Sequence, residues 1–461
     1  MPGDMLMVDP TCTITAAGTT TVASSCTAAG VNGKAVGSHQ EMLIMWKPVR
    51  LQGVGAVSSV INANAFPAGK LLDPWRRHIN CLFGLTIQGV PTTTTTGAGS
   101  YDSTGAFLCP DTTNGPWTDF VGIPNVPQID RLPLEATVGW DATQNGNLAE
   151  QLQEPSLMGA FEGAGITVLG KGVDFHGQNP WSDGNEGGAF PAATTLLTGV
   201  GPNPTALPTG DDNLLCAPTG TNPFPSNFMC NPSSIDGLTI TNSSQGGGGI
   251  FAHGWAHHLQ IANNRVYNNA GTLTGGISVG QGEFPTPVVQ GGTTNAAPGS
   301  CSDGTGFITN QHLPYCLQLQ VNVHNNYVTT NSSLGDELFS GTLSGGGGVT
   351  FCTGNDYYLF NYNWVCGNLS SGEGGGLVHL GEIQNGDIEH NSFLFNQSQN
   401  PTIPTNGGAI QIMGTPDTDP VCGTLIDADC PPGLSDGIGH SLTINANLIQ
   451  GNMAESGAGG G

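Results

Sequence analysis

At 461 residues, with Gly 72, Pro 31 and only 37% apolar residues, the chain exceeds the size at which one compact core keeps growing, a limit that a solenoid of neighbour-contacting coils escapes. Nine Lys+Arg against 34 Asp+Glu leave a formal charge of −25, and no Lys or Arg follows Arg265, which speaks against nucleic acid as a partner because phosphate binding runs on clustered basic side chains. No stretch approaches the roughly 18 apolar residues of a membrane span, and the ordered spacing of the apolar residues argues against disorder.

In chain order, alternation at Met5 and Met7, at Leu43 and Met45, and at Val49 and Leu51 predicts three short strands separated by turn residues. Further on, four tetrapeptides share one signature: Gly84-Leu85-Thr86-Ile87, Gly165-Ile166-Thr167-Val168, Gly237-Leu238-Thr239-Ile240 and Ser441-Leu442-Thr443-Ile444. Each is expected to be one wall of one coil, with the apolar residues inside and Thr on the solvent side. The segments 89–160, 172–235, 280–316 and 414–440 are rich in Thr, Pro, Gly and Asn and lack periodicity, so they are expected to be loops leaving the coils. Trp117, Trp140, Trp181 and Trp255 sit in or near them and are read as loop anchors ahead of sugar platforms.

The clearest repeat lies in the second half. Gly249 precedes Asn264, Gly348 precedes Asn363 and Gly376 precedes Asn391, each by 15 residues, and a second Asn follows five residues later at Asn269, Asn368 and Asn396. Asn326 with Asn331 and Asn447 with Asn452 add further copies of the five-residue step. Stacked coils lie about 4.8 Å apart, so Asn at one place in every coil can bond the amides above and below while holding a left-handed turn. The glycines are expected to supply positive φ. Both columns are therefore structural.

The strand Pro2–Val8 (PGDMLMV) followed by Lys47–Gly55 (KPVRLQGVG) resembles the opening coils of the right-handed parallel β-helix superfamily, the pectate-lyase-like fold of polysaccharide lyases, glycosidases, tailspikes and surface adhesins. The resemblance and the repeat together imply one all-β, right-handed parallel β-helix solenoid over residues 1–461: N-terminal coils in 1–88, coils with long insertions in 89–235 and regular Gly/Asn-rich coils in 236–461. The Gly459–Gly461 run reads as the opening of a further coil, and the N-terminus lacks a signal peptide, so the chain is expected to be a segment of a longer one or to have lost a leader.

Twelve Cys fall in local pairs, Cys12/Cys26, Cys81/Cys109, Cys216/Cys230, Cys301/Cys316, Cys352/Cys366 and Cys422/Cys430, which are expected to close the insertions as disulfides in an oxidising compartment. Acids near turns of adjacent coils, Asp336, Glu337, Glu373, Glu382, Asp387, Glu389 and Glu455, are the candidates for a glycoside-cleaving pair. The superfamily's enzyme signatures do not carry over: no Asn-Thr-Asp strand and no Arg-Ile-Lys occurs, and His253-Gly254 is the nearest echo of a Gly-His-Gly.

His253, His257 and His258 form a candidate transition-metal run, with His253, Cys352, Leu380 and Met413 in one column, although an apolar stack also explains that column. Calcium is the expected cofactor if there is one, at Asp183, Asn185 and Glu186 or at Asp427 and Asp429. The functional expectation is an exported, extracellular or cell-surface structural and interaction protein, adhesin-like or assembly-forming. Its partners would be copies of itself, other surface proteins or a neutral glycan, because a polyuronate meets repulsion from the acidic surface. The alternatives are a polysaccharide lyase or glycoside hydrolase and, more weakly, a metal-handling surface protein.

Overall fold

The computed structural model describes residues 3–9, 38–64, 163–170, 173–174, 195–196, 228, 231–244, 247–280, 318–334, 345–352, 355–380, 383, 385–401, 404–413, 441–455, 457 and 459–460. Among them the chain is all-β without an α-helix, and its strands pair in parallel except Val173–Asp174, which runs antiparallel to Thr195–Leu196.

Three long parallel sheets form the walls of the stack. The first runs from Met5–Val8 through Arg50–Gly53, Ser234–Asp236, Gln260–Ala262, Asn322–His324, Leu359–Asn361 and Asp387–Glu389 to Thr443–Asn445. The second runs from Val60–Asn62 through Thr239–Thr241, Arg265–Tyr267, Tyr327–Thr329, Trp364–Cys366 and Ser392–Leu394 to Leu448–Gln450. The third runs from Leu43–Met45 through Ile166–Val168, Ile250–Ala252, Ile277–Val279, Val349–Phe351 and Leu377–Leu380 to Ile410–Met413. A narrow fourth sheet joins Ala270–Gly271, Ser332–Ser333, Leu369–Ser370, Gln397–Ser398 and Met453–Ala454. Consecutive strands enter different walls, and the chain then returns to the first wall beside the strand it left: Leu359–Asn361 is followed one coil later by Asp387–Glu389. This strand order is compatible with a parallel β-solenoid.

The alternation in each strand fills the interior. Ile235, Ile261, Val323, Phe360 and Ile388 line the inner side of the first wall, and Ile240, Val266, Val328, Val365 and Phe393 that of the second; all are buried in one continuous cluster. The tetrapeptide strands fall in different walls: Ile166–Val168 in the third, Thr239–Thr241 in the second and Thr443–Asn445 in the first. Thr167 and Thr239 are buried, contrary to the expected solvent-facing position, and the Thr239 hydroxyl donates to the Ala56 carbonyl.

Two asparagine ladders run through the turns on either side of the second wall. At a central rung, Asn363 Oδ1 accepts from the backbone N–H of Asn326 at 2.9 Å and from Asn326 Nδ2 at 3.0 Å. Its own Nδ2 donates to the Val323 carbonyl at 2.9 Å and to Asn391 Oδ1 at 3.1 Å, and its backbone N–H donates to the same Oδ1 at 2.9 Å. The first ladder runs Asn264, Asn326, Asn363, Asn391, Asn447, and the second Asn269, Asn331, Asn368, Asn396, Asn452, with the same bonds at each step. Buried amides are thus satisfied on both sides by the neighbouring coils, as burial of polar groups demands.

Two details differ from expectation. The left-handed turn belongs to the residue before each ladder Asn: Asn263, Asn325, Tyr362, His390 and Ala446 before the first ladder have φ of 53–56°, and Asn268, Thr330 and Phe395 before the second have φ of 52–57°. Such conformations in bulky or β-branched residues persist only where their surroundings impose them, and the fixed Asn on one side and strand on the other do so. The recurring last glycines serve close approach instead of positive φ: a Cβ on Gly276 would lie 2.2 Å from the Gly348 carbonyl oxygen, and one on Gly376 would lie 2.5 Å from that of Ala409. Positive φ falls at Gly248 and Gly374.

The ladder makes rungs unequal. Asn363→Ala strands several buried groups at about 1–3 kcal/mol each, so a loss of about 3 kcal/mol or more is expected. Asn447→Ala, at a partly buried rung where water reaches the stranded groups, should cost about 1 kcal/mol. Urea midpoints of the two variants measure the difference, and equal losses would count against a cooperative ladder.

Candidate functional site

A ladder Asn points inward, so the residues on either side of it are held at the outer surface. In Tyr362-Asn363-Trp364 this puts two rings outside: Tyr362 is 58% exposed and Trp364 41%, and Tyr327, which follows Asn326 one coil earlier, is 44% exposed. Tyr327 and Trp364 are in register and lie parallel, with centroids 6.4 Å apart and planes 14° apart. Tyr362 stacks likewise on His390 of the next coil, at 5.1 Å and 21°. The two ring columns flank the ladder at the corner between the first and second walls. The next rungs are small: Ser392 follows Trp364 in register, and Ala446 occupies the place after His390, immediately before its ladder Asn.

Polar groups border the rings on the first wall. Glu389 Oε1 accepts from Asn445 Nδ2 at 3.2 Å, and its Oε2 lies 3.9 Å from His390 Nδ1. One coil before Tyr362, His324 Nδ1 donates to Asn325 Oδ1 at 2.8 Å. Asp387 shares a strand face with Glu389, two residues apart. Its carboxyl is pushed above the usual range, first by burial and then by the Glu389 charge, while His390 pulls the other way.

The remaining expected site residues are structural in placement. Glu373 is buried and clamps the next coil, its carboxylate accepting from Asn406 N–H at 2.6 Å and Asn406 Nδ2 at 3.1 Å. Burial raises its pKa, and the two bonds from Asn406 oppose that shift. His253 and His257 are both buried, and the His258 N–H donates to the Leu319 carbonyl at 2.8 Å. Burial, with a smaller contribution from His258, lowers the His257 pKa to about 3. Among the described residues no group of three or more His, Cys, Asp or Glu is placed to hold a metal ion. Cys352, Leu380 and Met413 do share an apolar cluster on the third wall. Asp183, Asn185, Glu186, Asp336, Glu337 and Glu382 lie outside the described residues, as do Asp427 and Asp429.

The expected Cys352–Cys366 disulfide is absent. Cys352 is buried just past the third-wall strand Val349–Phe351, whereas Cys366 ends the second-wall strand Trp364–Cys366; neighbours in sequence here are half a coil apart and occupy different walls. The other ten cysteines, Cys12, Cys26, Cys81, Cys109, Cys216, Cys230, Cys301, Cys316, Cys422 and Cys430, lie outside the described residues.

Sequence reasoning missed the rings and one buried dyad. The signal for Tyr327, Tyr362 and Trp364 was their adjacency to a ladder Asn. His379 occupies an interior position of the third wall between Phe351 and Ile412, where its Nδ1 and the Tyr358 hydroxyl share a hydrogen bond at 2.9 Å. Burial lowers the His379 pKa to about 3 and pushes that of Tyr358 well up, with Asp387 adding to the latter, so the pair stays neutral. No family model, no curated protein and no solved structure matches this chain.

Two outcomes follow for stability. His257 and His379 have folded pKa values of about 3, below the ordinary 6.5, so the unfolded chain takes up the extra protons as pH falls below 6.5. Each should cost about 1.4 kcal/mol per pH unit in that range. The Tyr358→Phe, His379→Leu double variant should therefore lose about 2 kcal/mol less than the parent between pH 6.5 and pH 5, read from urea midpoints. The raised carboxyl of Glu373 acts in the opposite sense and is common to both proteins. Separately, Glu373→Ala should destabilise by about 1–3 kcal/mol by stranding the Asn406 N–H, without altering surface binding. A stability unchanged by that substitution would return Glu373 to the list of functional acids.

Proposed function

We propose that this chain is an exported, extracellular or cell-surface recognition scaffold, a right-handed parallel β-helix of the pectate-lyase-like kind whose coil stack holds a binding surface. The observation that carries the reading is the ring-lined corner of Tyr327, Tyr362, Trp364 and His390. A soluble protein gains nothing in its own core from large aromatic side chains left 41–58% exposed at successive coils, and contiguous exposed apolar surface marks an interaction site. The acidic composition suits an exposed surface in salty surroundings, and the cysteines other than Cys352 and Cys366 would close the insertions as local disulfides.

Asp387 and Glu389 favour a second reading, a polysaccharide-active enzyme. Two carboxyls on one strand face beside exposed rings, one of them with a raised pKa, are a combination that glycoside hydrolysis uses.

The two readings separate in one assay. Purified protein should re-attach to washed producing cells, and a Tyr362→Ser, Trp364→Ser double variant should attach at least tenfold more weakly while keeping its urea midpoint. Attachment unchanged by that variant would refute the recognition reading. Glycan turnover abolished by Asp387→Asn would replace it with the enzymatic one.

A further inference from the structure

The rings do more than present an apolar face. Along the outer column of the second wall the residues in register run Arg265, Tyr327, Trp364, Ser392 and Leu448, so a small side chain stands between a stacked indole and a leucine that is 53% exposed. With coils about 4.8 Å apart, Trp364 and Leu448 are about 9.6 Å apart at the backbone. Carbon contacts of about 3.5–4.0 Å on each side leave about 2 Å, the thickness of a puckered saturated ring and more than a flat aromatic one needs. The Trp364 ring is nearly parallel to that of Tyr327, so one indole face is turned along the column towards this notch.

The groups beside the notch select among ring-shaped ligands. Glu389 and His390 lie on the same coil as Ser392, immediately before its ladder Asn, and the Glu389 carboxylate is partly exposed and accepts from the Asn445 amide. A carboxylate and a hydroxyl at the edge of an apolar slot accept and donate to the hydroxyls of a sugar whose C–H face lies on the indole. Anionic sugars and nucleotides are disfavoured: Arg265, the cation of this column, lies three coils from Ser392 and over the Tyr267 ring, the Glu389 carboxylate is nearer, and the chain carries a formal charge of −25.

We propose that the Ser392 notch, between Trp364 and Leu448 and beside Glu389, is a subsite for one pyranose ring of a neutral glycan. The inference rests on the recognition reading and narrows its ligand class.

Isothermal titration of the intact chain against neutral and uronic oligosaccharides of matched length tests it. Neutral oligosaccharides should bind and uronic ones should bind at least tenfold more weakly. Ser392→Phe, which fills the notch and extends the ring column, should weaken neutral-glycan binding at least tenfold while leaving the urea midpoint unchanged or higher. Trp364→Ala should weaken it similarly. Equal binding of uronic oligosaccharides, or neutral binding untouched by Ser392→Phe, would overturn the subsite. If no glycan binds while cell attachment still depends on Tyr362 and Trp364, the glycan inference falls and the recognition reading stands. If attachment is also independent of those rings, both fall.

Discussion

The asparagine amide is the interaction on which the rest of this structure depends. It is short, and it carries a donor and an acceptor at a fixed separation, so an identical copy one coil away completes its bonding on each side. Asp would remove the Nδ2 donor that reaches the preceding strand's carbonyl, as at Asn363 and Val323, and would set carboxylates against each other along the column. Ser would be too short to span adjacent turns. Because each rung is satisfied chiefly by its neighbours, the energy of a rung is shared with the coils above and below, as in other arrays of nearest-neighbour contacts. The same fixed rungs hold Tyr362, His390, Thr330 and Phe395 in left-handed backbone that isolated residues of these types avoid.

That constraint also organises the surface. With the ladder Asn turned inward, the residues before and after it face outward on every coil, and substitutions there leave the core untouched. Recognition can therefore be written at these positions in columns spaced at the coil repeat. The ring columns of Tyr327 with Trp364 and of Tyr362 with His390 are such columns, interrupted by the small residues Ser392 and Ala446. Inside the stack the freedom is the reverse. His379 takes an interior position in line with Phe351 and Ile412, and it is tolerated because Tyr358 satisfies one of its nitrogens while burial keeps both groups uncharged.

The stack of parallel strands was legible in the sequence where one residue type recurs for one reason. The 15-residue and five-residue spacings between Gly376, Asn391 and Asn396 report the length of chain needed to cross from one wall to the next, and the structure places both Asn columns as buried rungs. The coil opening at Gly275-Gly276-Ile277 does not show the 15-residue spacing, because the next described strand after Ile277–Val279 is Gln318–Leu319. The glycines were found for a partly mistaken reason, since steric approach of stacked carbonyls and positive φ select the same residue. Cys352 and Cys366 misled because sequence proximity in a solenoid places two residues in different walls. The ring corner stayed hidden since its aromatics differ in identity and offset from coil to coil, and only the register aligns them. Glu373 stands among the candidate acids by its place near a turn between adjacent coils, but its partner Asn406 is legible only in three dimensions.

The most direct measurement is amide hydrogen exchange on the intact chain, resolved to single residues. The backbone amides of Asn326, Asn331, Asn363, Asn368 and Asn391, each bonded to the next rung's Oδ1, should be among the slowest to exchange and should open together. Exchange of these amides at the rate of an exposed turn, or rung by rung without coupling, would contradict a stack held by its ladders.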